Sequence, residues 1–65
     1  MTTAEIREAV ERIRVMRYDN ETAHVQEDDL WCKVLKDIAA GGYHAKAKAQ
    51  AALSTRDVDF ERWYA

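Results

Sequence analysis

The chain contains no proline, one cysteine, one phenylalanine and only two glycines, which are adjacent at Gly41-Gly42. A single thiol, Cys32, excludes a disulfide within the chain and any paired-cysteine zinc pattern, and it fits a reducing compartment. No apolar run approaches the roughly 20 residues that a membrane-spanning helix needs, and the amino terminus lacks the basic, apolar and small-residue regions of a signal peptide. Basic residues are not in excess. The net charge of −2 argues against a dedicated nucleic-acid binder, which is usually strongly basic. Gly41-Gly42 alone is no phosphate loop, and H-E-x-x-H and serine-elbow motifs are absent. These absences predict a cytoplasmic protein with no membrane segment and no implied metal or cofactor.

What remains is a helical composition. Charged residues make up 34% and hydrophobic residues 48% of 65 positions, a balance that suits one folded domain. A chain of this length buries only about 60% of its unfolded surface. Its core is therefore thin, and oligomerisation is the expected supplement. The prediction is a homodimer.

The spacing of apolar residues predicts an all-α fold, an antiparallel hairpin of helices over about 3–18 and 20–40. One or two short C-terminal helices follow, over about 43–53 and 57–64. Thr2 and Glu5 have capping-box spacing, and Ile6, Ala9, Val10, Ile13 and Met16 form one stripe. Asp19 or Asn20 opens the second helix. Leu30, Trp31, Val34, Leu35 and Ile38 give it an apolar face, and Gly41-Gly42 ends it. In the third helix Ala45, Ala49, Ala52 and Leu53 share a face, with Lys46 and Lys48 outside it. No linker, internal repeat or strand alternation is evident.

Three groups of residues are candidates for function. At about 100° per residue, Glu27 falls within the apolar arc of the second helix, with His24 beside it and Asp28 adjoining. A carboxylate there is costly unless paired. Arg17 or Arg14 of the first helix is the expected partner, which makes Arg17, His24, Glu27 and Asp28 a buried polar cluster. The same side chains, at spacings of three and four, are also the material of a small-molecule or metal site or an acid–base pair. The second group is Lys46, Lys48, Arg56 and Arg62, a nucleic-acid strip only if all four align beside a stacking aromatic. The third is aromatic. Trp31 is expected in the core, and Phe60, Trp63 and Tyr64 are candidate anchors for a partner protein, since aromatics dominate binding hot spots.

The segments DNETAHVQEDDL, VLKDIAAG and DFERW carry the pattern D-x-E-x-A-H-x-x-E-D-x-L, V-L-x-x-I-A-x-G and D-F-x-R-W. In this the chain resembles a group of small helical proteins of phages and prophage-bearing bacterial genomes, over most of its length from Asp19 onward. The resemblance carries no catalytic or ligand-binding residues. It implies a small accessory protein acting on a host protein, and His24, Glu27 and Asp28 fall inside the shared pattern. The combined expectation is a non-enzymatic protein–protein interaction module that binds itself and another protein.

Overall fold

The computed structural model describes residues 1–62. Three α-helices follow in order, α1 (Thr3–Val15), α2 (Asn20–Ala39) and α3 (Ala45–Leu53). A 3₁₀ turn over Ser54–Asp57 comes next, followed by an extended segment, 58–62.

Each boundary has a local cause. Thr2 Oγ1 accepts from Glu5 N–H at 3.1 Å, and Glu5 Oε1 accepts from Thr2 N–H at 2.8 Å, a complete capping box. The N-terminus of α2 is held by Asp19, whose carboxylate accepts from the Thr22 N–H and hydroxyl. At its other end Gly42 N–H donates to Asp37 O and Gly41 N–H to Ile38 O, the paired bonds of a Schellman motif. That motif needs a left-handed residue, which Gly41 supplies at φ +85°. Gly42 is needed for a different reason, because a Cβ built there would overlap the Asp37 carboxylate.

The chain returns along α2. The amino group of Met1 lies 3.2 Å from Asp37 Oδ2, which places the start of α1 at the end of α2 and makes the two antiparallel. Lys48 of α3 also reaches Asp37. Further along, Trp31 bonds to Ala52 and Thr55, Glu27 to Arg62, and Asn20 to the backbone of Glu61. From Gly42 to residue 62 the chain thus descends α2 from its C-terminus to its N-terminus. The core joins Ile6, Val10 and Ile13 of α1 to Ala23, Leu30 and Val34 of α2, Ala51 and Ala52 of α3, and Val58 and Phe60. Fully burying an isoleucine or valine is worth about 1.5–3 kcal/mol, so this short list supplies most of the driving force.

Five expectations about the elements change. The first helix ends at Val15 instead of 18, because Met16–Asp19 forms a turn closed by Asp19 N–H to Met16 O. The third begins at Ala45 instead of 43, because His44 sits at φ 61° in the left-handed region. Its buried residues are Lys48, Ala51 and Ala52, a stripe that Thr55 of the 3₁₀ turn continues, while Ala45 and Leu53 are exposed. Over 58–62 there is extended chain where a helix over 57–64 was expected. Val58 and Phe60 point into the core while Asp59 and Glu61 face solvent, the period-two alternation of an extended segment. Leu35, expected on the buried stripe, is 65% exposed.

Candidate functional site

Glu27 lies where the helical spacing puts it, 2% exposed on the inner face of α2. Its partner is Arg62, not Arg17 or Arg14. Arg62 Nε donates to Oε1 at 2.8 Å and Nη2 to Oε2 at 2.9 Å, a two-pronged charge-assisted pair. The same guanidinium donates to the carbonyls of Thr55, Val58 and Phe60 and stacks 3.8 Å from the centroid of the Phe60 ring. One side chain therefore closes the turn at Thr55–Val58, covers Phe60 and neutralises Glu27. Burial pushes the Glu27 carboxyl up. The Arg62 bonds, the Thr55 hydroxyl and the charges of Arg62 and Arg56 outweigh that and hold it below its ordinary value.

Thr55, itself fully buried, extends the network. Its Oγ1 accepts from Trp31 Nε1 at 3.0 Å, and the same indole N–H is shared with Ala52 O at 3.1 Å. The indole is thus fixed in orientation, half-buried, with its polar atom turned inward.

Arg17 is occupied elsewhere. It donates to Arg14 O and to the Tyr18 hydroxyl, both at 2.8 Å, and lies 4.5 Å from the Tyr18 ring centroid. The turn at 16–19 folds it back onto the C-terminal carbonyls of α1, where a cation is favoured. His24 Nε2 is 3.6 Å from Asp28 Oδ2, one turn away along α2. The four residues Arg17, His24, Glu27 and Asp28 are therefore not one cluster. Among the described residues no group of three or more His, Cys, Asp or Glu has metal-binding geometry. With both oxygens of Glu27 held by Arg62, a general-base role would require breaking that pair.

A second ion pair lies at the opposite end of α2. Lys48 is buried, and its Nζ donates to both Asp37 oxygens at 3.2 and 3.0 Å. The Lys48 bond, and then the Met1 amino group, hold the Asp37 carboxyl below its ordinary value. Sequence spacing places Lys48 outside the apolar face, but it stands three, four and seven residues before Ala51, Ala52 and Thr55, on one helical stripe. That spacing is the signal that finds it. For Arg62 the signal is the alternation of Val58 and Phe60, which brings position 62 round to the inner side. Because Lys48 and Arg62 are both engaged internally, only Lys46 and Arg56 of the four bases remain exposed. The basic strip does not form.

Of the aromatic anchors, Phe60 is a core residue, 8% exposed beneath Arg62, and not a free contact. Trp63 and Tyr64 lie outside the described residues. One apolar surface open to a partner lies between the two ion pairs. Trp31, Leu35 and Ile38 of α2 and Ala49, Ala52 and Leu53 of α3 line a groove of about 180 Å³, with Leu35 and Leu53 more than half exposed at its rim. The groove exists because α3 presents small alanines to α2, so the larger side chains opposite are not covered.

Among the described residues no helix is long and apolar enough to cross a membrane. Comparison of the chain with protein-family models, curated proteins and solved structures finds no match.

Proposed function

We propose that this chain is a non-enzymatic protein-interaction module, an accessory protein of phage type that binds a host protein. The partner contributes an apolar helical segment to the groove between α2 and α3. The observation that carries the proposal is the groove itself, apolar along its length and flanked by exposed Leu35 and Leu53. Trp31, in its lining, has its indole N–H held by two acceptors, and an anchored tryptophan in an apolar pocket is the usual centre of a binding hot spot. The buried ionisable groups are meanwhile consumed in ion pairs that hold the backbone of the groove in place.

The test compares capture of protein from a bacterial host lysate by the immobilised wild type and by a Leu53→Asp variant whose helicity is unchanged by circular dichroism. A specific protein retained by the wild type and lost by the variant supports the proposal. Capture of nothing, or of the same proteins by both, overturns it.

A further inference from the structure

We propose that the outer face of α2 is the seat of a second copy of this chain, docked antiparallel about a two-fold axis that passes at Cys32. This goes beyond the groove, which opens between α2 and α3. The outer face is a shallow depression on α2 alone, lined by Trp31, Cys32, Leu35 and Ala39, with Asp28 and Lys36 at its margins.

The stripe of this face formed by Val25, Asp28, Cys32, Lys36 and Ala39 is self-complementary. In a two-fold interface, residue i meets residue j of the other copy and j meets i. With the axis at Cys32, an antiparallel pair of α2 helices matches positions equally distant from 32. Asp28 and Lys36 stand four residues to either side, about 12 Å apart along the helix. Val25 and Ala39 stand seven to either side. All four are exposed. Each Asp28 then meets the partner's Lys36, giving two opposite-charge contacts, and each Val25 meets the partner's Ala39. Parallel docking instead sets Asp28 against the partner's Asp28 and Lys36 against the partner's Lys36, like against like, which complementary interfaces avoid. Cys32 at the axis and Ala39 near the end are small, which allows the two backbones to approach to helix-packing distance, roughly 8–10 Å.

Charge supply on α2 points the same way. Lys33 is paired with Asp29 at 2.9 Å and Asp37 with Lys48 at 3.0 Å, whereas Lys36 makes no ion pair among the described residues. Among the described residues the ion pair of Asp28 is with the His24 imidazole, at 3.6 Å.

Sedimentation equilibrium across a concentration series tests this on the full chain. The wild type is expected at twice its 7.5 kDa mass. Lys36→Asp and Asp28→Lys singly are each expected to weaken the dimer about tenfold, since each turns two attractive contacts into repulsive ones. The double variant Asp28→Lys/Lys36→Asp is expected to return to within about threefold of wild type, because the swap restores both pairs. A short-spacer bis-maleimide is expected to link two wild-type chains through Cys32. A Cys32→Ser variant should escape the link yet still sediment as a dimer. The positions are exposed, and circular dichroism checks that each variant keeps its helices. The proposal is overturned by a monomer at all concentrations up to millimolar, by a dimer indifferent to the single reversals, or by a double variant as weak as the singles. A monomer that still captures a host protein through Leu53 would overturn this inference and leave the interaction proposal standing.

Discussion

Arg62 holds Glu27 across 35 positions of sequence, with Nε 2.8 Å from Oε1 and Nη2 2.9 Å from Oε2. The pair fastens the C-terminal segment to the middle of α2, and Val58 and Phe60 enter the core between those two ends.

Breaking that pair from either side should be severe. Glu27→Ala leaves a cation facing a buried space, and Arg62→Ala leaves a carboxylate there. Each is expected to cost about 3 kcal/mol, a large share of the roughly 3–10 kcal/mol available to a chain of this size. Arg62→Lys should fall between, because an ammonium lacks the planar fork that reaches the carboxylate and three carbonyls together. Urea unfolding of the three variants measures the order. Equal stability of Arg62→Ala and wild type would remove the latch.

Thr55→Val is nearly isosteric and removes only a hydroxyl. Trp31 Nε1 keeps Ala52 O, but Glu27 loses a stabilising neighbour. A loss of about 1–2 kcal/mol is expected, read as a lowered urea midpoint with an unchanged slope.

Acid should unfold the chain through these carboxylates. Glu27 is held below its ordinary 4.5 and Asp37 below its ordinary 3.8. For depressed groups of this kind the stabilisation is complete above the unfolded value and is lost as pH falls through the folded one. Stability should therefore be flat near neutrality and decline below about pH 5. Glu27→Gln, less stable at pH 7, should show a shallower decline, since Glu27 no longer contributes and only the other lowered carboxylates, Asp37 and the capping Glu5 and Asp19, still titrate in that way. Thermal midpoints from pH 7 to pH 2 provide the comparison. Parallel curves for the two proteins would contradict the assignment.

Lys48 and Lys46 are both lysines of α3, but they should behave differently. Lys48→Ala removes the closer cation of Asp37 and leaves it the Met1 amino group, which should lower the midpoint, whereas Lys46 is exposed and its replacement should leave stability within about 0.5 kcal/mol. Thermal unfolding of the two variants, side by side, distinguishes a buried ion pair from a solvated charge.

Gly41 and Gly42 should both resist alanine, for separate reasons. At Gly41 the cost is conformational, about 1 kcal/mol for an L-residue in the left-handed region. At Gly42 the new Cβ displaces the Asp37 carboxylate and loosens its bond to Lys48. Combining Gly42→Ala with Lys48→Ala should therefore be less than additive, whereas Gly41→Ala with Lys48→Ala should add. A double-mutant cycle on unfolding free energies reads both.

Much of this architecture is local and was open to reading along the chain. Thr2 with Glu5, Asp19 with Thr22, and the two glycines bound the helices because caps and turns depend on neighbours within four residues. The 3.6-residue recurrence likewise places Ile6, Val10 and Ile13 inside α1 and Glu27 inside α2, for it reports which side of a helix faces inward. Leu35, Lys48, Phe60 and Arg62 were decided otherwise. Whether a side chain at the edge of an apolar arc is covered depends on what crosses it, and α3 crosses with alanines, so Leu35 stays open. The identity of a buried charge's partner depends on which distant segment is laid beside it. The return of the chain down α2 brought Arg62 to Glu27 and Lys48 to Asp37, while Arg17, the nearer cation in sequence, turned back to its own helix end. Sequence alone determined three of the helices, the caps at Thr2, Asp19 and Gly41-Gly42, and the inward-facing carboxylate. Only the tertiary packing decided its partner, because ion pairing is set by distance in space and the spacing of residues along one helix carries no information about another.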